Sequence, residues 1–359
     1  MTVKRRMVAV ILALCLLFCG CGNIFDGHYS SVKPHQEQSA ADSTGKISAS
    51  NYAQLYAALT KMIEAGDEGG VITVSGYDRD RVEGDMERAV SDAMKRNAVA
   101  AYAVESVQFE LGRRGGQAAL DVDIAYTRNR TEILKIRQVR GMKEAATAIN
   151  GALNRCDAYI VLQIRNYAEM DFVQYVENYA MDNPQYVMEV PQVAAGVYPD
   201  SGTNRVVELR FTYQTSREAL RSMQEQVQPV FASSTLYVSG DGQQREKYDQ
   251  LYSFLMERYD YQLTASITPA YSLLRHGVGD SKAFATVYAA MCRQAGLDCL
   301  VVSGTRNAES YYWNIVCDDG VCYHVNLLEG SFRERTDGEM TGFVWDYDAY
   351  PVCDGNPRE

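Results

Sequence analysis

The residues of this chain with the greatest capacity for chemistry lie between Ala270 and Asn326. The run Gly277-Val278-Gly279-Asp280-Ser281-Lys282-Ala283-Phe284 reads as a sharp turn into a helix, with the two glycines supplying the turn. Ser281 brings a hydroxyl to the start of that helix. A serine acts as a nucleophile only with a base within hydrogen-bond reach, and His324 is a candidate on a neighbouring element. The plainer reading needs no chemistry: Asp280 or Ser281 accepts from the free N–H groups of the first helical turn, and His324 is a hairpin-edge histidine.

The elements that must position these groups follow from the pattern. Ala285, Tyr288, Ala289, Cys292 and Ala295 recur at helical spacing, so one face of the helix after Ser281 enters a core, and Gly296 ends it. Residues 299–303 form a strand and 311–317 a second one. Asp318-Asp319-Gly320 predicts a hairpin turn, from which residues 321–326 return antiparallel. His324 stands two residues before Asn326 and is expected to share its strand face.

In order and spacing this region resembles the transglutaminase-like superfamily, in the form found on bacterial surface proteins. The resemblance opens with a helix ending in Arg258-Tyr259-Asp260-Tyr261 and runs through Ala270-Tyr271-Ser272-Leu273-Leu274. It continues with Ala295-Gly296-Leu297-Asp298-Cys299 and Val302-Ser303-Gly304, and closes with Trp313-Asn314 and Asp319-Gly320 followed by Tyr323-His324-Val325. It covers roughly the last third of the chain and implies a papain-like α+β fold. In that family a Cys at the helix start, a His on the next strand and an Asp on the strand after form a thiol acyl-transfer triad. These positions fall on Ser281, Tyr311 and Asn326, so all three depart from the family pattern. A tyrosine hydroxyl, with a reference pKa of about 10, is a poor base at neutral pH. An asparagine carries no charge to stabilise a cation. The resemblance therefore implies a cleft, lined by Asp280, Tyr312, Trp313 and His324, that does not perform thiol acyl transfer. The enzymatic alternative is a hydrolase or acyl transferase rebuilt around Ser281.

The remaining sequence sets the context. With 359 residues, 47% hydrophobic and 23% charged, the chain has an ordinary globular composition and room for several domains. A net charge of −11 argues against a nucleic-acid partner, because neutralising phosphates needs clustered Lys and Arg. Lys4-Arg5-Arg6 and the apolar run 8–18 have the form of a signal segment. Gly20-Cys21 resembles a lipobox, which implies lipidation of Cys21; a plain secretory signal cut near the same place is the alternative. Residues 22–46 read as a tether, which places the folded part outside the cytoplasm on a lipid anchor. Cys317 and Cys322 flank the hairpin turn, either as a disulfide or as two half-buried thiols. There is no Cys-x-x-Cys pair, and only four His are present, so neither a metal nor a cofactor is expected.

Between residues 47 and 231 the chain repeats one pattern. The first copy has helices over 52–65 and 84–96, strands over 71–77 and 119–126, and Ala101-Tyr102-Ala103-Val104 between the second helix and second strand. The second has helices over 145–153 and 171–181, strands over 159–167 and 206–213, and a last helix opening at Ser216-Arg217-Glu218. Tyr77, Tyr102 and Tyr126 correspond to Tyr167, Tyr186 and Tyr213; these tyrosines end strands and are explained by packing. Glu208 and Arg210 alternate with apolar neighbours and read as a solvated strand face.

The expected architecture is α+β: a signal segment (1–21), a tether (22–46), two repeated modules (47–144 and 145–231) and a transglutaminase-like domain (232–359). The expected role is non-catalytic binding of a cell-wall or protein ligand at the membrane surface. A purely structural envelope component would instead show a large exposed apolar patch.

Overall fold

A computed structural model describes residues 47–356. The signal segment, Cys21 and the whole of the tether lie outside the described residues. No helix among the described residues is long and apolar enough to cross a membrane.

The first module consists of β1 (Ile47–Ser48), α1 (Tyr52–Ala65), β2 (Gly69–Thr73), α2 (Val82–Arg96), α3 (Ala98–Ala103), β3 (Val104–Arg114), β4 (Gln117–Tyr126) and α4 (Arg130–Leu134). Helix α1 shows how local chemistry sets an element. Asn51 accepts from the Gln54 N–H at its start, and Leu55, Ala58, Leu59, Met62 and Ile63 form one buried stripe. The second module repeats the plan with β5 (Arg137–Gly141), α5 (Met142–Asn154), β6 (Tyr159–Asn166), α6 (Phe172–Asp182), β7 (Gln192–Tyr198) and β8 (Arg205–Thr212). Sheet orders are β1-β2-β4-β3 and β5-β6-β8-β7, each with one parallel pair followed by two antiparallel ones. The internal repeat is thus a repeat of topology. Most of the repeated tyrosines pack on the module cores, while Tyr186 is exposed.

Three sequence expectations need correction. Strand β5 pairs with β6, so the second module begins near residue 137 and not at 145. Strand β3, with eleven residues, has no counterpart in the sequence reading; its outward side chains are polar and mask the alternation of Val107, Phe109 and Leu111. Glu208 is buried, not solvated: it pairs with Arg128 of the first module at 3.0 Å and with Arg210 at 3.0 Å. The cost of desolvating that carboxylate is offset by two guanidinium groups, and the pair with Arg128 joins the modules.

Helix α7 (Arg217–Ser234) leads into the C-terminal domain. The sequence pattern puts it in the second module and starts the C-terminal domain at residue 232. The packing differs: Leu220, Val227 and Phe231 belong to the same core as Tyr248, Phe284 and Tyr288. The domain continues with α8 (Gln244–Met256), β9 (Asp260–Tyr261), β10 (Val278–Gly279), α9 (Ser281–Gln294), β11 (Asp298–Arg306), β12 (Glu309–Asp318), β13 (Val321–Val325) and β14 (Phe343–Trp345). The sheet is antiparallel, in the order β13-β12-β11-β14. Asp319 and Gly320 both have positive φ, which is the two-residue hairpin turn that an Asp-Gly pair favours. Across it Cys317 and Cys322 are direct partners and form a disulfide.

The back face of this sheet carries a second core of Val302, Tyr311, Trp313, Ile315, Met340, Phe343, Trp345 and Cys353. Inside it the Trp313 Nε1–H donates to His324 Nδ1 at 2.9 Å, which leaves the proton of the neutral ring on Nε2, 2.8 Å from Asp337 Oδ1. Asp337 in turn accepts from the Cys353 N–H at 3.0 Å, so this chain of bonds ties the tail to the sheet. Burial holds the His324 pKa below its usual 6.5, although Asp337 opposes the shift.

This packing sets two expected outcomes. A fragment of residues 217–356 unfolds cooperatively in urea, whereas one beginning at 232 loses α7 and is several kcal/mol less stable, since burial of one Phe such as Phe231 is worth about 3–5 kcal/mol. Because the folded pKa of His324 is depressed, its contribution to stability is complete above about pH 6.5 and falls as the pH drops from there toward the folded value. Both Trp residues of the chain pack on that imidazole, so tryptophan fluorescence during thermal unfolding reports this loss. A His324→Gln chain is less stable throughout and loses this part of the pH dependence.

Candidate functional site

The approach to α9 is set by two glycines. Gly277 has φ of +81°, a left-handed turn open to glycine. At Gly279 an added Cβ would sit 2.8 Å from the Ala283 Cβ, so only glycine lets β10 pass this close to the helix. Asp280 then caps α9, with Oδ1 accepting from the Ala283 N–H at 2.9 Å. Ser281 is therefore the first helical residue and not the cap.

With the capping role filled by Asp280, the Ser281 hydroxyl crosses to the sheet and accepts from the Tyr312 backbone N–H at 3.2 Å. Only 7% of Ser281 is exposed. The Tyr311 side chain belongs to the back core, and its hydroxyl donates to Asn326 Oδ1 at 3.0 Å. Tyr311 and Asn326 thus bond each other, while Ser281 bonds the backbone of the residue after Tyr311. Tyr311 packs edge-on to Phe343, and the Arg306 guanidinium lies 5.4 Å from its ring centre. Burial raises the Tyr311 pKa, and Arg306 and the bond to Asn326 only partly oppose this. The hydroxyl is protonated at neutral pH and serves as a donor.

Asn326 is equally committed. Its Oδ1 also accepts from the Leu328 N–H at 3.3 Å, and its Nδ2 donates to Glu329 Oε1 at 3.0 Å. Glu329 is held by Arg335 at 2.7 Å. An aspartate at 326 would face that carboxylate oxygen directly, and like charges at such range oppose ionisation. The amide fits where the acid does not.

The other expected cleft residues divide between the faces of β12. Tyr312 is half-buried on the helix side, with the Lys282 ammonium 5.4 Å from its ring centre. Trp313 and His324, 1% and 0% exposed, lie in the back core and line no cleft. Asn326 stands just past the end of β13 at Val325 and caps the next helical turn, while its Oδ1 accepts from Tyr311, which belongs to the same back core as the Trp313 that bonds His324. Both His324 nitrogens are occupied, so it cannot serve as a base for Ser281.

The donor atoms of His324, Asp337 and Cys353 lie within 4.8 Å of one another, a grouping that could in principle hold a metal ion. The Trp313 N–H occupies the Nδ1 lone pair and the Nε2 proton faces Asp337, so the neutral imidazole has no free lone pair for a metal. The trio serves to anchor the tail.

Sequence reasoning missed Arg306, Glu329 and Phe343, which surround the Tyr311–Asn326 pair from the hairpin and the tail. It also gave Asn314 no role beyond framing. Asn314 is fully buried and donates to the Ala285 and Leu300 carbonyls at 2.9 and 3.2 Å, joining α9 to the sheet.

Comparison with known proteins bears on the C-terminal part. A family model described as the transglutaminase-like superfamily matches residues 233–327, well under half of the chain. No curated protein matches the chain. Among solved structures, one described as a TGase is similar at 13% identity and a TM-score of 0.27, over 56% of this chain and 60% of that one. A candidate cysteine protease from Cytophaga hutchinsonii is similar at 12% identity and a TM-score of 0.25, over 43% of this chain and 70% of its own. A candidate protease from Parabacteroides distasonis gives 12% identity and a TM-score of 0.24, over 62% and 52%. The chain thus spans less than two thirds of the first of these, and likenesses this weak carry no argument by themselves. What the family match and the antiparallel sheet packed on α9 do establish is that residues 233–327 form a transglutaminase-like domain.

Proposed function

We propose that this chain is a lipid-anchored surface protein whose transglutaminase-like domain binds without catalysing thiol acyl transfer. The observation that carries the reading is the Tyr311–Asn326 bond. Where the family pattern requires a basic imidazole and a carboxylate, this chain has a protonated phenol and a neutral amide, each already satisfied. Nothing bonded to Ser281 can take its proton: its partner is the Tyr312 N–H, itself a donor. This disfavours the alternative of a serine enzyme rebuilt at the same position, which needs a base within reach.

The ligand class we favour is a cell-wall component or a protein, met outside the membrane at the end of the tether. The support is the chain's lipobox-like Gly20-Cys21, its acidic charge and the exposed aromatic and aliphatic side chains of Tyr261, Leu263 and Ile267 on the approach to α9. Tyr and aliphatic side chains offer a sugar or peptide apolar area, and tyrosine adds a hydrogen bond.

Two experiments test this. The purified chain turns over neither glutaminyl nor amide substrates, and Ser281→Ala costs about 1 kcal/mol of stability through the lost hydrogen bond without changing that result; turnover abolished by Ser281→Ala would show a working serine site. Cys21→Ala moves the protein from the detergent to the aqueous phase on partitioning, and unchanged partitioning would rule out the anchor at that residue.

A further inference from the structure

Cys292 and Cys299 are free thiols that meet inside the C-terminal domain. Cys292 lies in the last turn of α9 and Cys299 is the second residue of β11; they are 0% and 3% exposed. The turn between them is tight. Gly296 has φ of +73°, and the Leu297 N–H donates to the Cys292 carbonyl at 2.9 Å, which folds the chain directly back into β11. Tyr248 holds this end of the strand, its hydroxyl donating to the Asp298 carbonyl at 2.7 Å. The Cys292 sulfur is thereby in side-chain contact with the Cys299 sulfur and with the Tyr288 hydroxyl. Of the other cysteines outside the hairpin, Cys156 accepts from Gln224 Nε2 at 3.5 Å and Cys353 lies in the back core.

We propose that Cys292 and Cys299 are a second disulfide site, joined in the mature protein. The domain already holds the Cys317–Cys322 disulfide, and such bonds persist where thiols are not kept reduced. Six residues separate Cys292 from Cys299, so the local turn brings them together early and the same oxidant reaches them before the core closes. In the step, one thiolate attacks the disulfide of a thiol–disulfide oxidoreductase or of a small disulfide, and the second thiol resolves the mixed disulfide. One S–S bond forms between the two cysteines, and their two protons and two electrons pass to the co-reactant, which leaves as two thiols. Burial, and then the neighbouring Cys299, keeps the Cys292 thiol protonated in the folded chain. The oxidation therefore belongs to folding, and the bond is a staple and not a switch. It fixes the C-terminal end of α9 to β11, where Arg293 already donates to the Cys299 carbonyl at 3.3 Å. Ser281 and Asn314 tie the N-terminal half to β12, so the helix is then held to the sheet at both ends.

The proposal rests on the placement of the domain outside the membrane, and its test separates the two. The full chain is denatured without reductant, its free thiols are alkylated, and it is digested with trypsin. Cleavage after Lys282, Arg293 and Arg306 leaves Cys292 as the one cysteine of peptide 283–293 and Cys299 as the one cysteine of peptide 294–306. Cys317 and Cys322 fall together in the peptide that follows. Mass spectrometry shows the first two peptides linked, and reduction parts them. From a Cys299→Ala chain, peptide 283–293 is recovered alkylated; the chain is read denatured, so the result stands whether or not the variant folds well. Recovery of both peptides alkylated from the unsubstituted chain, with Cys317–Cys322 intact, overturns the proposal and leaves the placement standing. Alkylation of Cys292, Cys299, Cys317 and Cys322 alike overturns both. Linkage of either peptide to the one that carries Cys317 also overturns the proposal.

Discussion

Helix α9 has almost no solvent-facing side, and the C-terminal domain is arranged around that constraint. From Ala283 to Cys292 every residue is buried, against the sheet on one flank and against α7 and α8 on others. A helix enclosed in this way must have its polar groups met from inside. Asp280 caps the first turn, Thr286 bonds back to the Lys282 carbonyl at 2.8 Å, and Tyr288 donates to the Tyr248 carbonyl at 2.9 Å. Asn314 and Ser281 then join the helix to β12. These bonds hold the N-terminus of α9 against the strand that carries Tyr311. Burying this helix thus fixes its N-terminus against β12, whatever side chains stand at residues 281 and 311.

That separation between scaffold and chemistry explains the character of the site. Gly277, Gly279, Trp313 and Asn314 serve turn, close approach and packing, and any change in them is felt by the whole core. Ser281, Tyr311 and Asn326 need only satisfy one another's neighbours. Tyrosine reaches Asn326 with its hydroxyl and fills the space between Phe343 and Arg306 with its ring. Asparagine accepts from Tyr311 while donating to Glu329, a combination that an ionised aspartate cannot provide. The positions are mutually adapted, so reverting one alone leaves an unmatched partner.

Much of this is legible in the sequence, because it is written in local signals. The turn at Gly277, the Asp-Gly hairpin, the strands around it and the repeated modules follow from periodicity and turn residues. What is not legible depends on contacts distant in sequence. The helical period of α9 marks one apolar face, but the alanines between also face neighbours, and only the packing of α7 reveals a helix enclosed on all sides. His324 looks like a hairpin-edge residue until Asp337 and Trp345, from the tail, close over it. Glu208 looks like a solvated strand residue until Arg128 arrives from the other module. Strand β3 escapes a sequence reading because its polar outward residues and half-buried inward row blur the alternation that marks a strand.

The proposal's central claim, that residue 281 stands at the nucleophile position of the family pattern without its activation, is best tested by placing the family's own nucleophile there. In a Ser281→Cys chain, with Tyr311 and Asn326 unchanged, the rate of alkylation of the introduced thiol as a function of pH reports its pKa. With no imidazolium beside it, and buried, that thiol is expected to titrate at about 8.5 or above, with slow alkylation at neutral pH. A titration well below pH 7, as in activated thiol enzymes, would mean that the native surroundings already stabilise an anion at this position, and the account of a silent site would be wrong.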